Sequence, residues 1–257
     1  MAEIYNQIEL YNPLESFYNY KIRDDIEDYM KRGFYRYEGQ MVSYDIKVVY
    51  QEPFHLAVDV PVMIRSANPI SKEKNPIVAI VGEAPGRWTR DMMYPGISIG
   101  MTFGQHDPKY KDNPRTYDMV ADWYLSRGFD VYMTNLSKWT RYQMSKGSPQ
   151  IKKTIESDNQ IIIDILKKEF REFKLNHIIW LGDQQWKRFV YGEAAKDFFT
   201  DWTVFPHPSG ANNNAWVKKL RGKPCTEENK VDYIVRNANV LYLKDGEIRS
   251  TIDDIQS

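Results

Sequence analysis

The hydrophobic pattern between residues 76 and 210 alternates between two kinds of segment. Short apolar runs rich in β-branched residues predict buried strands in IVAIVG (77–82), FDVYMTN (129–135), HIIWLG (177–182) and the start of WTVFPHPSG (202–210). Apolar positions at helical spacing predict helices in TYDMVADWYLSRG (116–128), IKKTIESDNQIIIDILKKEFREF (151–173) and DQQWKRFVYG (183–192). Strands that alternate with helices predict a three-layer α/β/α fold with a mostly parallel central sheet.

The flanking segments follow different patterns. Before residue 76 we expect a helix in DDIEDYMKRGFYRY (24–37) and strands in MVSYDIKVVY (41–50) and FHLAVDVPVMI (54–64). The polar connector SANPISKEKNP (66–76) suggests a boundary. We therefore predict an aromatic-rich N-terminal extension (1–75), an α/β core (76–220) and a tail (221–257) with a hairpin or edge pair at 231–248.

Composition narrows the class of protein. The chain has 257 residues, is 42% hydrophobic and contains one cysteine, Cys225. One cysteine excludes an internal disulfide, a cysteine-rich zinc site or a cysteine-ligated iron–sulfur cluster within one chain, and it fits a reducing compartment. We see neither a signal peptide nor a stretch of about 18 apolar residues, so we expect a cytoplasmic protein that does not span a membrane. We also expect a monomer.

The charge is balanced overall but unevenly distributed. Residues 76–220 hold 20 of the 35 basic and 16 of the 35 acidic residues. The segment KWTRYQMSKGSPQIKK (138–153) has five cations and no acid. It is either a solvated loop or a strip that tracks nucleic-acid phosphates.

Polar residues follow several predicted strands at their carboxyl ends, where ligands bind in parallel α/β sheets. GEAPG (82–86) brings Glu83, TNLSKW (134–139) brings Asn135, and FPHPSG (205–210) places His207 between two prolines. Each motif also has a structural interpretation. GEAPG is a tight turn, an asparagine after a strand is a turn former, and a histidine can bond to nearby backbone.

The order GEAPG, TNLSKW, IIWLG and HPSG over residues 76–216 resembles the uracil-DNA glycosylase superfamily, and most closely its family four branch. The resemblance implies an enzyme that flips a nucleotide out of DNA and hydrolyses its N-glycosidic bond. It implies catalytic roles for Glu83 and His207, with Asp91 as a rival for water activation. It implies base contacts from Asn135, Phe103, Gly82, Ala84, Pro85 and Gly86, with Trp88 and Tyr94 as rivals to Phe103.

The same resemblance implies DNA contacts, which we assign to Ser209, Lys138, Arg141, Lys146, Asn212 and Asn213. The chain departs from family four in lacking the cluster cysteines, with Trp139 where one would be, so we expect no cofactor. The stretch 87–115 is longer than the usual link. The expected substrate is therefore either uracil or a modified pyrimidine, including a bulky hypermodified cytosine removed from phage DNA in bacterial defence. A non-catalytic DNA-binding relative is the remaining alternative.

Overall fold

A computed structural model describes the chain in several ranges. They are residues 5–10, 35–37, 54–70, 74–84, 96–104, 114–137, 139–143, 150–151, 163, 166–167, 169–171, 173–182, 201–244 and 247–252. Three predicted segments lie partly outside these ranges: 24–50, 87–115 and 151–173. The predicted helix 183–192 lies outside them entirely.

A six-stranded sheet forms the centre of the fold. Its strands are β1 (Tyr5–Leu10), β4 (Val62–Ser66), β7 (Asp130–Asn135), β5 (Ile77–Gly82), β10 (His177–Leu181) and β11 (Asp201–Phe205), in that spatial order. The last four strands are parallel to one another, whereas β1 and β4 add antiparallel pairs at one edge. The predicted mostly parallel α/β sheet is confirmed.

Helices cover both faces of this sheet. On one face, Val131 and Met133 of β7 join a core with α1 (Thr116–Leu125), α2 (Asn213–Leu220) and α3 (Glu227–Ala238). On the other face, Tyr132 packs on Phe173, with ring centroids 4.6 Å apart, among helical residues between 163 and 173. Because successive side chains of a strand point to opposite faces, the two contacts define three layers.

A second sheet lies beside the first. It contains β2 (Tyr35–Tyr37), β6 (Gly96–Met101), β3 (Phe54–Val60), β8 (Trp139–Gln143) and β9 (Gln150–Ile151), in that order. The pair β3 and β6 is parallel and the other pairs are antiparallel. Sequence periodicity predicted β3, which lies within the strand expected at 54–64, but not the pairings of this sheet, because they join segments that are distant in the chain.

Four local predictions are corrected by these elements. The helix predicted over residues 24–37 does not reach its expected end, because Tyr35–Tyr37 form β2. Residues 138–153 are not a loop throughout, since β8 and β9 pair within them. The helix predicted from residue 151 cannot begin there, because Ile151 belongs to β9. The hairpin predicted at 231–248 is wrong in its first half, where α3 runs to Ala238.

The true hairpin follows α3 and is formed by β12 (Leu241–Lys244) and β13 (Glu247–Ser250). In α3 the buried positions Val231, Ile234, Val235 and Ala238 recur at helical spacing, and Thr226 caps the first turn by accepting the Asn229 N–H. Strands β1 and β4 show that residues 1–75 contribute to the central sheet, while the boundary between extension and core stays a prediction.

Candidate active site

Gly82 and Asn135 end two neighbouring strands of the central sheet. They are register partners in the parallel pair β5 and β7, so the two residues lie at the same level of the sheet. The backbone continues the pairing past the strands: the Leu136 N–H donates to the Gly82 carbonyl at 2.9 Å, and the Ser137 N–H donates to the Glu83 carbonyl at 2.9 Å. These bonds fix the start of the GEAPG turn against the TNLSKW turn.

Gly82 is a glycine because its neighbours occupy the space that a side chain would need. A Cβ atom built on Gly82 would lie 2.6 Å from Phe103 Cε1 and would also collide with Asn135 Oδ1. The close approach therefore brings three predicted base-binding residues into one cluster.

Phe103 is held in an unusual backbone conformation. It lies in the 3-10 turn Thr102–Gly104 with φ 58° and ψ 16°, the left-handed region that non-glycine residues rarely adopt. Its ring stacks on Tyr117, with centroids 4.5 Å apart, and its carbonyl accepts a hydrogen bond from Arg115 Nη2. Strain of this kind clusters at binding sites, where surrounding contacts maintain it.

Asn135 is oriented by an acid that sequence reasoning missed. Its Nδ2 donates to Asp59 Oδ2 at 2.8 Å, and both residues are 2% exposed. Asp59 belongs to β3, so this bond joins the two sheets at the site. The available signal was an acid within the apolar strand FHLAVDV, where aspartate is normally depleted.

Glu83 and His207 line one cavity of about 480 Å³. The other lining residues are Gly182, Val204, Phe205, Pro206, Asn212, Ala215, Lys218 and Lys219. Burial lowers the pKa of His207 below its ordinary value, and the negative charge of Glu83 opposes this effect without cancelling it. The two groups thus lie within electrostatic reach, and the imidazole is neutral at pH 7.

One ring nitrogen of His207 is already occupied. Its Nδ1 accepts the Ser209 N–H at 3.2 Å, so the neutral ring carries its proton on Nε2. The carbonyl of His207 accepts from Trp216 Nε1 at 3.1 Å, and Trp216 is fully buried. The FPHPSG loop therefore presents a neutral imidazole with an N–H donor on Nε2.

Some of the predicted DNA-contact residues lie beside the cavity, and others lie outside the described part of the chain. Ser209 and Asn213 are exposed beside the cavity, and Asn212 Nδ2 donates to Ser209 Oγ at 3.4 Å. Arg141 is placed only by its backbone in β8. Other predicted or rival residues lie outside the described part of the chain: Pro85, Gly86, Trp88, Asp91, Tyr94, Lys138 and Lys146.

Lys218 and Lys219 are cavity-lining cations that sequence reasoning did not select. They lie on the exposed side of α2, directly after the HPSG loop. The signal was present, since residues 202–226 contain four cations and no acid.

The predicted residues therefore form two adjoining groups. Gly82, Phe103 and Asn135 pack together, while Glu83, His207 and Asn212 line the cavity. The peptide bond between Gly82 and Glu83 joins the groups, and half-buried Ala84 follows.

Comparison with known proteins agrees with this geometry. The model of the uracil DNA glycosylase superfamily matches residues 69–224, more than half of the chain. The match covers both groups of residues, whereas Asp59 precedes it. A comparison with curated proteins gave no match. Within the described residues, no helix has the length and apolar character needed to cross a bilayer. The chain belongs to the uracil DNA glycosylase superfamily.

Proposed function

We propose that the protein is a monofunctional DNA glycosylase that removes uracil or a modified pyrimidine and leaves an abasic site. The observation that carries this proposal is the common cavity of Glu83 and His207, reached from two different strand ends. Members of the superfamily are usually DNA glycosylases, which supports the reaction class. Acting on a base in duplex DNA requires the nucleotide to be flipped into such a cavity.

His207 is proposed to stabilise the departing base. When the bond between C1′ and the base nitrogen breaks, its electron pair stays on the base and negative charge reaches the base oxygens. The Nε2–H of a neutral imidazole, held by the Ser209 and Trp216 bonds, is a fixed donor for that charge. A fixed donor stabilises the transition state without reorganisation during the reaction.

Glu83 is proposed to act on the sugar side of the same bond. Positive charge develops on the sugar as the base leaves, and a carboxylate at the cavity lip stabilises it or orients the attacking water. The water oxygen forms a bond to C1′ and gives up a proton, and the base anion gains one. Asp91 stays an alternative for this role and lies outside the described residues.

Asn135 and Phe103 are proposed to hold the flipped base. Because Asn135 Nδ2 donates to the Asp59 carboxylate, the amide cannot rotate without losing that bond, and Oδ1 keeps its place beside Gly82. An amide fixed in this way reads the donor and acceptor pattern of a base edge. Since Asn135 is only 2% exposed, the contact requires neighbouring side chains to move aside when the base enters.

The DNA backbone is proposed to lie across the HPSG loop and α2. Ser209, Asn212 and Asn213 supply neutral donors, and Lys218 and Lys219 supply positive charge at the cavity rim. Lysines that neutralise phosphates release counterions, so this contact makes binding sensitive to salt.

The size of the cavity favours a second candidate substrate. A volume of about 480 Å³ exceeds the space that one pyrimidine ring fills, so a bulky modified cytosine could also be accommodated. The reaction would be the same, and the released base would distinguish the two substrates.

Oligonucleotides that carry one uracil, hypoxanthine or modified cytosine test the proposal. After incubation, alkali cleaves abasic sites and mass spectrometry identifies the released base. We expect a strand break for at least one pyrimidine. The double variant Glu83→Ala with His207→Ala, purified in parallel, controls for contaminating glycosylases. No break with any base, together with DNA binding that survives the double substitution, would favour the non-catalytic alternative.

A further inference from the structure

We propose that Lys230 is a positioning residue, which holds the His207 loop and ties it to the Phe103 turn through Glu227, Thr116 and Arg115. This inference rests on the proposed function, because it assigns Lys230 to the geometry of the same reaction. Lys230 itself does not line the cavity.

Lys230 is a buried cation with two defined partners. It is 2% exposed, and its Nζ donates to the Pro208 carbonyl at 2.9 Å and to Glu227 Oε1 at 2.8 Å. A buried ammonium group is costly unless it is paired and hydrogen-bonded. An apolar residue could fill the same space without the free-energy cost of burying a charge. What the lysine adds is its hydrogen bond to the Pro208 carbonyl of the loop.

The loop needs support of this kind because of its prolines. In FPHPSG, Pro206 and Pro208 have no N–H, which removes two of the donors that usually fix a loop. The structure replaces them with side chains that donate to consecutive carbonyls. Trp216 of α2 bonds the His207 carbonyl at 3.1 Å, and Lys230 of α3 bonds the Pro208 carbonyl. His207 is thus held from two helices.

The same lysine also connects to the Phe103 turn. Glu227 Oε2 accepts the Thr116 N–H at 2.9 Å and also accepts from Thr116 Oγ1. Arg115, the residue before Thr116, donates to the Phe103 carbonyl and to Asp118. A continuous path therefore runs from the His207 loop to the turn that keeps Phe103 at positive φ.

The charge state of Glu227 is consistent with this path. Burial alone would raise the pKa of its carboxyl, but the hydrogen bonds from Lys230 and Thr116 outweigh burial and hold the pKa below its ordinary value. Glu227 is therefore an anion at pH 7 and balances the buried cation. Lys230 and Glu227 both lie on α3, after residue 224, where the superfamily match ends.

A second ion pair on α3 offers a matched control. Arg236 Nε donates to Asp232 Oδ1 at 2.5 Å, closer to the C-terminal end of α3, and the Arg236 side chain is 54% exposed. This pair also joins a basic and an acidic side chain of α3, but it is exposed and neither residue lines the cavity.

The experiment compares Lys230→Met with Arg236→Met in the full chain. One readout is the single-turnover excision rate at saturating enzyme, measured against the Kd for DNA with an abasic-site analogue. The other readout is hydrogen exchange of the Ser209 amide, which is bonded to His207 Nδ1 and needs no activity. Glu227→Gln, which keeps the size and shape of the side chain, is a second variant in case Lys230→Met does not fold.

We expect Lys230→Met to reduce the excision rate by about 100-fold, the effect of misplacing a reacting group by roughly 1 Å, with Kd changed less than about threefold. Ser209 exchange should accelerate at least about tenfold as the loop loosens. Glu227→Gln should change both in the same direction, and Arg236→Met should change neither. Unchanged Ser209 exchange in both Lys230→Met and Glu227→Gln would overturn the inference, whatever the activity. Absence of excision in the unsubstituted protein would instead count against the proposed function.

Discussion

Two pairs of polar residues at the site differ in their exposure: the cavity pair, Glu83 and His207, and the amide cluster, Asn135 and Asp59. Glu83 is exposed and His207 half-buried, and both face a cavity of about 480 Å³. Asn135 and Asp59 are each 2% exposed and bonded to one another. Substitutions in the cavity should therefore affect the reaction more than folding, because solvent can fill the space. Substitutions in the cluster should affect both, because they leave a buried polar group without its acceptor.

The largest expected effect is that of His207→Ala. Loss of a preorganised donor to the departing base should reduce the excision rate by about 1000-fold. The free energy of unfolding should change by less than about 1 kcal/mol, because the side chain is only half-buried. Single-turnover kinetics and denaturant unfolding measure the two quantities. His177→Gln, at the opposite end of the sheet, is the control that should retain excision.

Asp59→Ala should affect both folding and the reaction. It removes the acceptor of the Asn135 amide and should lower the free energy of unfolding by about 2 kcal/mol. Loss of this orienting bond should also reduce excision by about 100-fold through misplacement of the base. A loss of stability with normal excision on every substrate would show that Asn135 has a structural role only.

Two buried or half-buried histidines make the stability of the fold depend on pH. Burial lowers the pKa of His177 to about 4, opposed by Asp201, and also lowers that of His207. In the unfolded chain both ionise near pH 6.5, so the unfolded state binds more protons between about pH 6.5 and 4 and stability falls as the pH falls through this range. At pH 5 we expect a loss on the order of 2 kcal/mol from His177. Denaturant unfolding across this range should show a shallower dependence in His177→Gln.

The smallest expected effect concerns the cavity rim. Replacing Lys218 and Lys219 by Gln should weaken binding to abasic DNA by about tenfold and reduce the slope of log K against log salt by about 2. Fluorescence anisotropy across a salt series measures both. The matched pair Lys244→Gln with Arg249→Gln, on the terminal hairpin, should leave the slope unchanged. Equal effects of the two pairs would mean that DNA does not follow α2.

Local patterns predicted the four parallel strands and α1, because apolar runs and amphipathic spacing are properties of neighbouring residues. They also placed Asn135 and His207 at or just beyond strand ends. They failed for α3, where the β-branched residues in VDYIV suggested a strand although the i, i+3, i+4 spacing was helical. Asp59 and Lys230 could not be assigned, because their partners lie 76 and 22 residues away in the chain.

The central claim is that a flipped base enters the cavity between Glu83 and His207. A crystal structure with duplex DNA containing 2′-fluoro-deoxyuridine, whose fluorine slows bond cleavage, tests it most directly. We predict the uracil inside the cavity, with an oxygen within about 3.2 Å of His207 Nε2 and an edge bonded to Asn135. A flipped base bound elsewhere on the protein, with the cavity filled by side chains, would contradict the account.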